Sequence, residues 1–415
     1  MKILHTSDWH LGRMLYGKKR YPEFEAFLNW LIETIKLQKI DILLIAGDVF
    51  DTTTPSNYAQ ELYFQFLSDV AKNTDCQHVV VIGGNHDSPS LLEASKSVLK
   101  ALNIYVVGAA NENPQDEVIV LKNDSSIPQA IICAVPYLRD RDIRKVEASE
   151  TLDDKNKKLI SGIKQHYHAV CECAKEKQVE LCKKHKLEHL PMIGMGHLFA
   201  AGGKTEVDDG VRELYVGSLA HVDASVFPDY LDYVALGHLH VPQMVAKKDH
   251  IRYSGSPIAM GFGEAKQQKQ VLMIDFEDGN SVITPIAVPC FQPLVSIKGN
   301  LEGILASLSQ LITDKSNSWL EIEYIGKEII SDLTEQINAH IQGSELEIRR
   351  IKNKRIIDKA ISQSQSSETL EDLDEIEVFE RCLAAHDIPK DQQAVLMGCY
   401  QEIMMQLVEE DVQAE

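Results

Sequence analysis

Over roughly the first 275 residues, short apolar runs alternate with stretches whose apolar positions recur every three to four, the signature of an α/β fold. Strands are predicted at 2–6 (KILHT), 41–46 (DILLIA), 78–82 (HVVVI), 103–107 (NIYVV), 130–135 (AIICAV), 191–195 (PMIGM), 232–236 (DYVAL) and 271–276 (VLMIDF), and helices over 23–38 and 57–73. From about 290 to 353 the order becomes strand (PLVSIKG), helix (LEGILASLSQLI), strand (WLEIEYIG), helix (SDLTEQINAHIQ), strand (LEIRRIK), which fits a small open-faced α+β domain. Residues 354–370 contain SQSQSSE, a polar tract with the composition of a linker. Beyond 371 two helical patterns flank the turn HDIPKD. In the second, Leu396, Tyr400, Ile403 and Leu407 fall on one face, widened by Met397, Met404 and Val408. The expected organisation is a main domain over 1–280, a small domain over 290–353, a linker over 354–370 and a helical tail over 371–415.

Composition narrows the class. No run of about 18 apolar residues is present to span a membrane. The start, MKILHTSDWH, lacks the basic and apolar segments of a signal peptide. The eight cysteines lack disulfide-framework spacing. A cytoplasmic protein with reduced thiols is the expectation. The formal net charge of −20 argues against simple nucleic-acid binding through a basic footprint. Bound divalent metals can reverse the sign locally, and a partner subunit can supply basic surface.

The strongest signal is one design used five times. An apolar strand ends and the loop after it begins with metal-type residues: ILHTSDWH, LLIAGDVFD, VVVIGGNHD, MIGMGHLF and YVALGHLH. In parallel α/β sheets, functional groups gather in loops past the carboxyl ends of strands. Read as ligands, the set is Asp8, His10, Asp48, Asn85, His197, His238 and His240. Mixed nitrogen and oxygen donors suit Mn²⁺, Fe²⁺ or Zn²⁺ better than Ca²⁺ or Mg²⁺. Seven ligands are too many for one ion, and a carboxylate shared by two ions, naturally Asp48, accounts for the number. Gly47, Gly84, Gly196 and Gly237 each directly precede a ligand, where a residue without Cβ permits a sharp exit from the strand.

These motifs, DxH, GDxxD, GNHD, GxH and GHxH in that order, resemble the calcineurin-like metallophosphoesterases over the first 260 or so residues. Within that superfamily KILHTSDWHLG, GDVFDTTTPS, RYSGSP (252–257), the small domain and the tail resemble the SbcD branch, the nuclease subunits of SbcCD complexes. GDVFDTT and GNHDS depart from the GDxVDRG and GNHE of the superfamily's protein phosphatases. The resemblance implies a four-layer α/β/β/α sandwich, with a small α+β domain capping the DNA and a C-terminal helical tail. It implies Mn²⁺-dependent cleavage of DNA, as a 3′-to-5′ exonuclease on duplex ends and an endonuclease on single strands and hairpins, in replication, recombination and repair. By position, Asp8, His10, Asp48 and His240 would hold one ion, and Asp48, Asn85, His197 and His238 the other. His86 would sit near the scissile phosphate as the catalytic residue. The tail would dock on a large coiled-coil SbcC-like ATPase, with two copies of this chain in a heterotetramer. ATP would be used by the partner.

Asp51 and Asp87 are candidates to fix the metal imidazoles or, equally, simple loop caps. Arg13, Tyr16, Lys18, Lys19 and Arg20, after the first ligand loop, are candidate contacts to the DNA backbone. The resemblance adds Ser254 and Ser256 to the DNA path. AAGGKTE (200–206) fails the phosphate-loop template, since Leu198 stands where its first glycine belongs, and is expected to be a flexible active-site loop. The His and Cys residues of 166–189 lack paired CxxC spacing, so an ordinary amphipathic helix is expected there. Two rival functions stand beside the DNA nuclease. One is a phosphodiesterase for a small nucleotide or lipid head group, the other a non-catalytic scaffold for an ATPase.

Overall fold

The computed structural model describes residues 1–123, 125–143, 152–200, 222–277, 280–326, 328, 330 and 332–353, with Ile376, Phe379, Glu380, Leu383, Gln393 and 396–401 beyond them. The loop 201–206, the linker and most of the tail lie outside these residues. The chain divides into two units between Phe291 and Gln292.

The first unit opens with β1 (Lys2–Thr6), a small hairpin of β2 (Met14–Leu15) and β3 (Lys18–Lys19), and α1 (Tyr21–Gln38). Next come β4 (Ile42–Ala46), α2 (Asn57–Asn73), β5 (His78–Ile82), the short helices α3 (Pro89–Glu93) and α4 (Lys96–Lys100), and β6 (Ile104–Val107). A second series runs β7 (Val118–Lys122), β8 (Pro128–Ala134), α5 (Asp140–Ile143), α6 (Leu152–His185), β9 (Met192–His197), β10 (Tyr233–Gly237), β11 (Gln243–Val245) and β12 (Lys248–Tyr253). Then β13 (Gln270–Glu277) and β14 (Asn280–Ala287) form an antiparallel pair.

Two six-stranded sheets result, ordered β14-β13-β1-β4-β5-β6 and β11-β12-β10-β9-β8-β7. β1, β4, β5 and β6 run parallel in the first, and β8, β9, β10 and β12 in the second. Parallel strands need both faces covered, and the burial pattern supplies this. β4 and β5 are buried at every position. One face of the first sheet packs on α1 and α2 through Leu43, Ile45, Phe27, Leu31 and Phe66. Ile42, Leu44, Val80, Ile132, Ile193 and Ala235 fill the space between the sheets. The outer face of the second sheet packs through Ile131, Met192 and Val234 against Ile163, Tyr167 and Val170 of α6. The layers are therefore α/β/β/α, as expected. Among the described residues, no helix is long and apolar enough to cross a membrane.

The second unit holds β15 (Leu294–Gly299), α7 (Leu301–Thr313), β16 (Trp319–Tyr324), α8 (Leu333–Ile341) and β17 (Glu347–Asn353), in the order the pattern predicts. Its three strands are parallel. Their core is Ile297, Leu320, Ile322 and Tyr324 against Ile304, Leu308, Leu333 and Ile337.

Candidate metal centre

All seven predicted ligands lie at the carboxyl ends of β1, β4, β5, β9 and β10 or in the loops that leave them. The loops after β1 and β4 continue the strand register: Asp8 N–H donates to Gly47 O at 3.0 Å, His10 N–H to Asp48 O at 3.0 Å and Leu11 N–H to Val49 O at 2.9 Å. Within them Asp8, His10 and Asp48 have φ of 54°, 48° and 48°, and His238 has 99°. Positive φ at non-glycine residues costs on the order of 1–3 kcal/mol each and clusters at functional sites. Here the ladder holds the first three, and a hydrogen bond from His238 N–H to Asp8 Oδ1 at 2.8 Å holds the fourth.

The glycines correct the sequence reading. Among the four before ligands, only Gly47 has a positive φ, at 86°. The others answer a need for space. A Cβ on Gly84 would stand 2.2 Å from Asp48 Oδ1, one on Gly196 2.2 Å from the Tyr167 hydroxyl, and one on Gly237 1.9 Å from Ala46 O.

Asp8, His10 and His240 form one group whose ligand atoms lie within 4.8 Å of one another. His10 Nε2 and His240 Nε2 are 3.1 Å apart. Each ring turns its Nδ1 to a carboxylate: His240 to Glu264 Oε1 at 3.2 Å, and His10 to Asp51 Oδ1 at 3.3 Å, a contact off ideal hydrogen-bond geometry. With the protons on Nδ1, two lone pairs face each other in a buried space, and a cation resolves that opposition. On the other side, His197 Nε2 and His238 Nδ1 each lie 3.0 Å from Asn85 Oδ1. His197 donates its Nδ1–H to Ala46 O at 2.9 Å, which turns Nε2 inward. Asp48 stands between the groups, its Oδ2 3.6 Å from His10 Nε2 and 3.3 Å from His197 Nε2. Its Oδ1 accepts from His86 N–H at 2.9 Å. These donors fit two divalent ions.

Electrostatics agree. Burial opposes ionisation of Asp48, yet His197 and His86 outweigh it and hold the carboxyl well below its usual range. Burial also opposes charge on His197, but Asp48 and Asp8 push its pKa up to about 9. Burial, aided by His197, pushes His238 well below the usual imidazole range. Two buried carboxylates thus call for positive charge, which a proton on His197 supplies when no metal does.

His86 borders the first group. Its Nδ1 donates to Asp51 O at 2.8 Å and its ring stands edge-on to His10 at 4.8 Å. The two aspartates offered for orienting imidazoles separate. Asp51 touches His10 Nδ1 and pairs with Arg13 at 3.1 Å. Asp87 touches no imidazole in this way. It accepts N–H bonds from Val49, Phe50 and Gly84 at 3.1, 2.9 and 2.9 Å and so pins two ligand loops together.

Three expected DNA contacts do not stand. Arg20 is 1% exposed, and its Nε and Nη2 bond both Glu23 oxygens at 2.7 and 2.8 Å. Ser254 and Ser256 are wholly buried. The first meets Ser7 Oγ at 2.9 Å, and Ser7 in turn donates to Asp8. The second donates to Glu264 at 3.3 Å. Arg13 is committed to Asp51, whereas Tyr16, stacked on Phe262, and Lys19 are exposed, and Lys18 is half-buried. The residues of 166–189 do not converge: His166 bonds Glu117 at 2.8 Å, His189 bonds Asp232 at 2.9 Å, and Cys171 is buried in the core. Sequence reasoning missed Glu264 and Lys269. They form a buried pair behind His240, and no local motif marks them.

Residues 1–242 match the calcineurin-like phosphoesterase family, and residues 290–387 match the type 5 capsule protein repressor C-terminal domain. The chain is 36% identical over 403 residues to the SbcD component of nuclease SbcCD from Escherichia coli strain K12, covering 96% of this chain and 97% of that one. It is 32% identical over 326 residues to the SbcD component of nuclease SbcCD from Bacillus subtilis strain 168, covering 78% of each. A dimetal phosphatase from Danio rerio superposes with a TM-score of 0.40 at 11% identity, over 70% of this chain and 96% of that one. The chain belongs to the calcineurin-like phosphoesterase family of metal-dependent hydrolases, in its SbcD nuclease branch.

Proposed function

We propose that this chain is a Mn²⁺-dependent DNA nuclease, acting as an exonuclease (3′ to 5′) on duplex ends and an endonuclease on single strands and hairpins. Asp8, His10, Asp48 and His240 would hold one ion and Asp48, Asn85, His197 and His238 the other. The observation that carries this is the position of Asp48 Oδ2, 3.6 Å from one imidazole group and 3.3 Å from the other. Bound in pairs, such ions polarise a phosphate and supply a nucleophile from water near neutral pH.

The protein's own groups do the rest. The Ala46 carbonyl fixes which nitrogen His197 turns inward, and Glu264 does so for His240. Asp51 O holds the His86 Nδ1 proton, so Nε2 is the nitrogen that gives a proton to the leaving sugar oxygen. Tyr16, Lys18 and Lys19 position the DNA backbone. The chain works with a large coiled-coil ATPase through the tail, as the name of its SbcCD relatives supports, with two copies per assembly. The small unit caps the DNA. The partner also answers the net charge of −20, because basic surface need not come from this chain.

The test compares Mn²⁺-dependent digestion of linear duplex with hydrolysis of a small chromogenic diester. Shortening of the duplex under Mn²⁺ is expected. Cleavage of the small diester alone contradicts the reading.

A further inference from the structure

We propose that Glu264, gripped by Lys269, sets the tautomer of His240 and so decides whether the first of the two ions binds. The inference rests on the metal-centre reading above and adds a positioning residue behind it.

Glu264 follows the 3₁₀ turn at Phe262–Glu264 and is wholly buried. Its two oxygens are engaged unequally. Oε1 faces His240 Nδ1 at 3.2 Å. Oε2 accepts from Lys269 Nζ, from Met260 N–H at 3.0 Å and from Ser256 Oγ at 3.3 Å. Lys269 also donates to His240 O at 3.2 Å and to Ser256 Oγ at 3.0 Å, while Ser256 N–H donates to His240 O at 3.2 Å. His240 is thus held at its backbone by Lys269 and Ser256, and at its ring by Glu264.

A carboxylate can only accept, so the proton of neutral His240 must sit on Nδ1. Nε2, the nitrogen 3.1 Å from His10 Nε2, is then left with its lone pair pointing at the ion site. Lys269 keeps a buried carboxylate ionised for this task, since an unpaired buried charge is costly. The pair places an acceptor behind the ring without adding net charge to a site that already holds Asp8 and Asp48.

The design makes Glu264→Gln a tautomer switch. The amide oxygen goes to the three donors around Oε2, and the ammonium of Lys269 repels the NH₂ from that side. The NH₂ therefore faces His240 Nδ1, which must accept, and the ring proton moves to Nε2. That atom can then no longer bind a metal.

The test titrates Mn²⁺ into the full-length metal-free protein, wild type and Glu264→Gln. It also records ¹⁵N imidazole spectra and unfolding midpoints of both without metal. Wild type should bind two ions with the His240 proton on Nδ1. The variant should keep one tight site, lose about 10–100-fold affinity at the other, show the proton on Nε2, and retain its metal-free midpoint. Two unchanged ions in the variant, or a proton still on Nδ1, overturns the inference. Loss of both ions together with a collapsed midpoint makes Glu264 a structural residue and overturns it as well. A wild type that binds no ion instead sinks the metal-centre reading, and this inference with it.

Discussion

Gly237→Ala tests the join between the two sheets most sharply. A Cβ at this position would lie 1.9 Å from Ala46 O, 3.0 Å from Ala46 C and 2.8 Å from His197 Nδ1. Carbon and oxygen pack no closer than about 3.3 Å even in the shortest favourable contacts, so a shift of more than an ångström is required. The obstacle is strand backbone, which cannot swing aside as a side-chain tip can. Overpacking of this kind costs about 1–3 kcal/mol. Ala46 O is also the acceptor of His197 Nδ1–H, and losing that buried bond adds about 1–3 kcal/mol. The sum, about 2–6 kcal/mol, is a large share of the 5–15 kcal/mol that holds a typical domain. Urea unfolding of the metal-free variant should show a lower midpoint at unchanged slope. Mn²⁺ titration should show weakened binding at the site built on His197. A variant with the wild-type midpoint and two tightly bound ions would refute the close approach of β10 to the end of β4.

Other outcomes follow from the same geometry. His86→Ala should keep both ions and lose about 10²–10⁴-fold in turnover, read by metal analysis beside duplex digestion. Full activity in that variant removes the proton-donor role. Without metal, His197 carries a proton below about pH 9, and metal must displace it. Apparent Mn²⁺ affinity should therefore weaken as pH falls, by up to about tenfold per unit, with proton release on binding. Affinity that is flat between pH 6 and 8 contradicts that assignment. Arg20→Met breaks a buried ion pair and should cost about 3–5 kcal/mol of stability, seen in the unfolding midpoint. DNA affinity per folded molecule should stay at the wild-type level, and a selective loss of binding would restore Arg20 as a contact.

The ligand loops were legible because each chemical residue directly follows a strand that hydrophobicity alone marks. Five repetitions of one local pattern then locate a shared edge, even though the pairing of distant strands is invisible in sequence. The helices over 23–38 and 57–73 were legible for the same reason, their apolar stripes matching the buried residues of α1 and α2. The edge strands β7, β12 and β14 were missed, since half-exposed positions dilute their apolar runs. Glu264 was hidden because its role depends on a partner 24 residues away, His240, which only the tertiary fold brings near. Arg20 misled because a basic run after a ligand loop looks like a DNA contact. The opposing signal was Glu23 three residues on, at the start of α1. Ser254 and Ser256 misled differently: β12 carries RYSGSP into the interior behind Asp8 and His240, where hydroxyls orient ligands and cannot reach solvent.

The most direct measurement of the central claim is anomalous diffraction at the manganese edge from crystals grown with Mn²⁺. The account predicts two peaks per chain. One should lie among Asp8, His10 and His240, the other among Asn85, His197 and His238, with Asp48 touching both. A single peak, peaks elsewhere, or seven side chains turned away from any peak would contradict it.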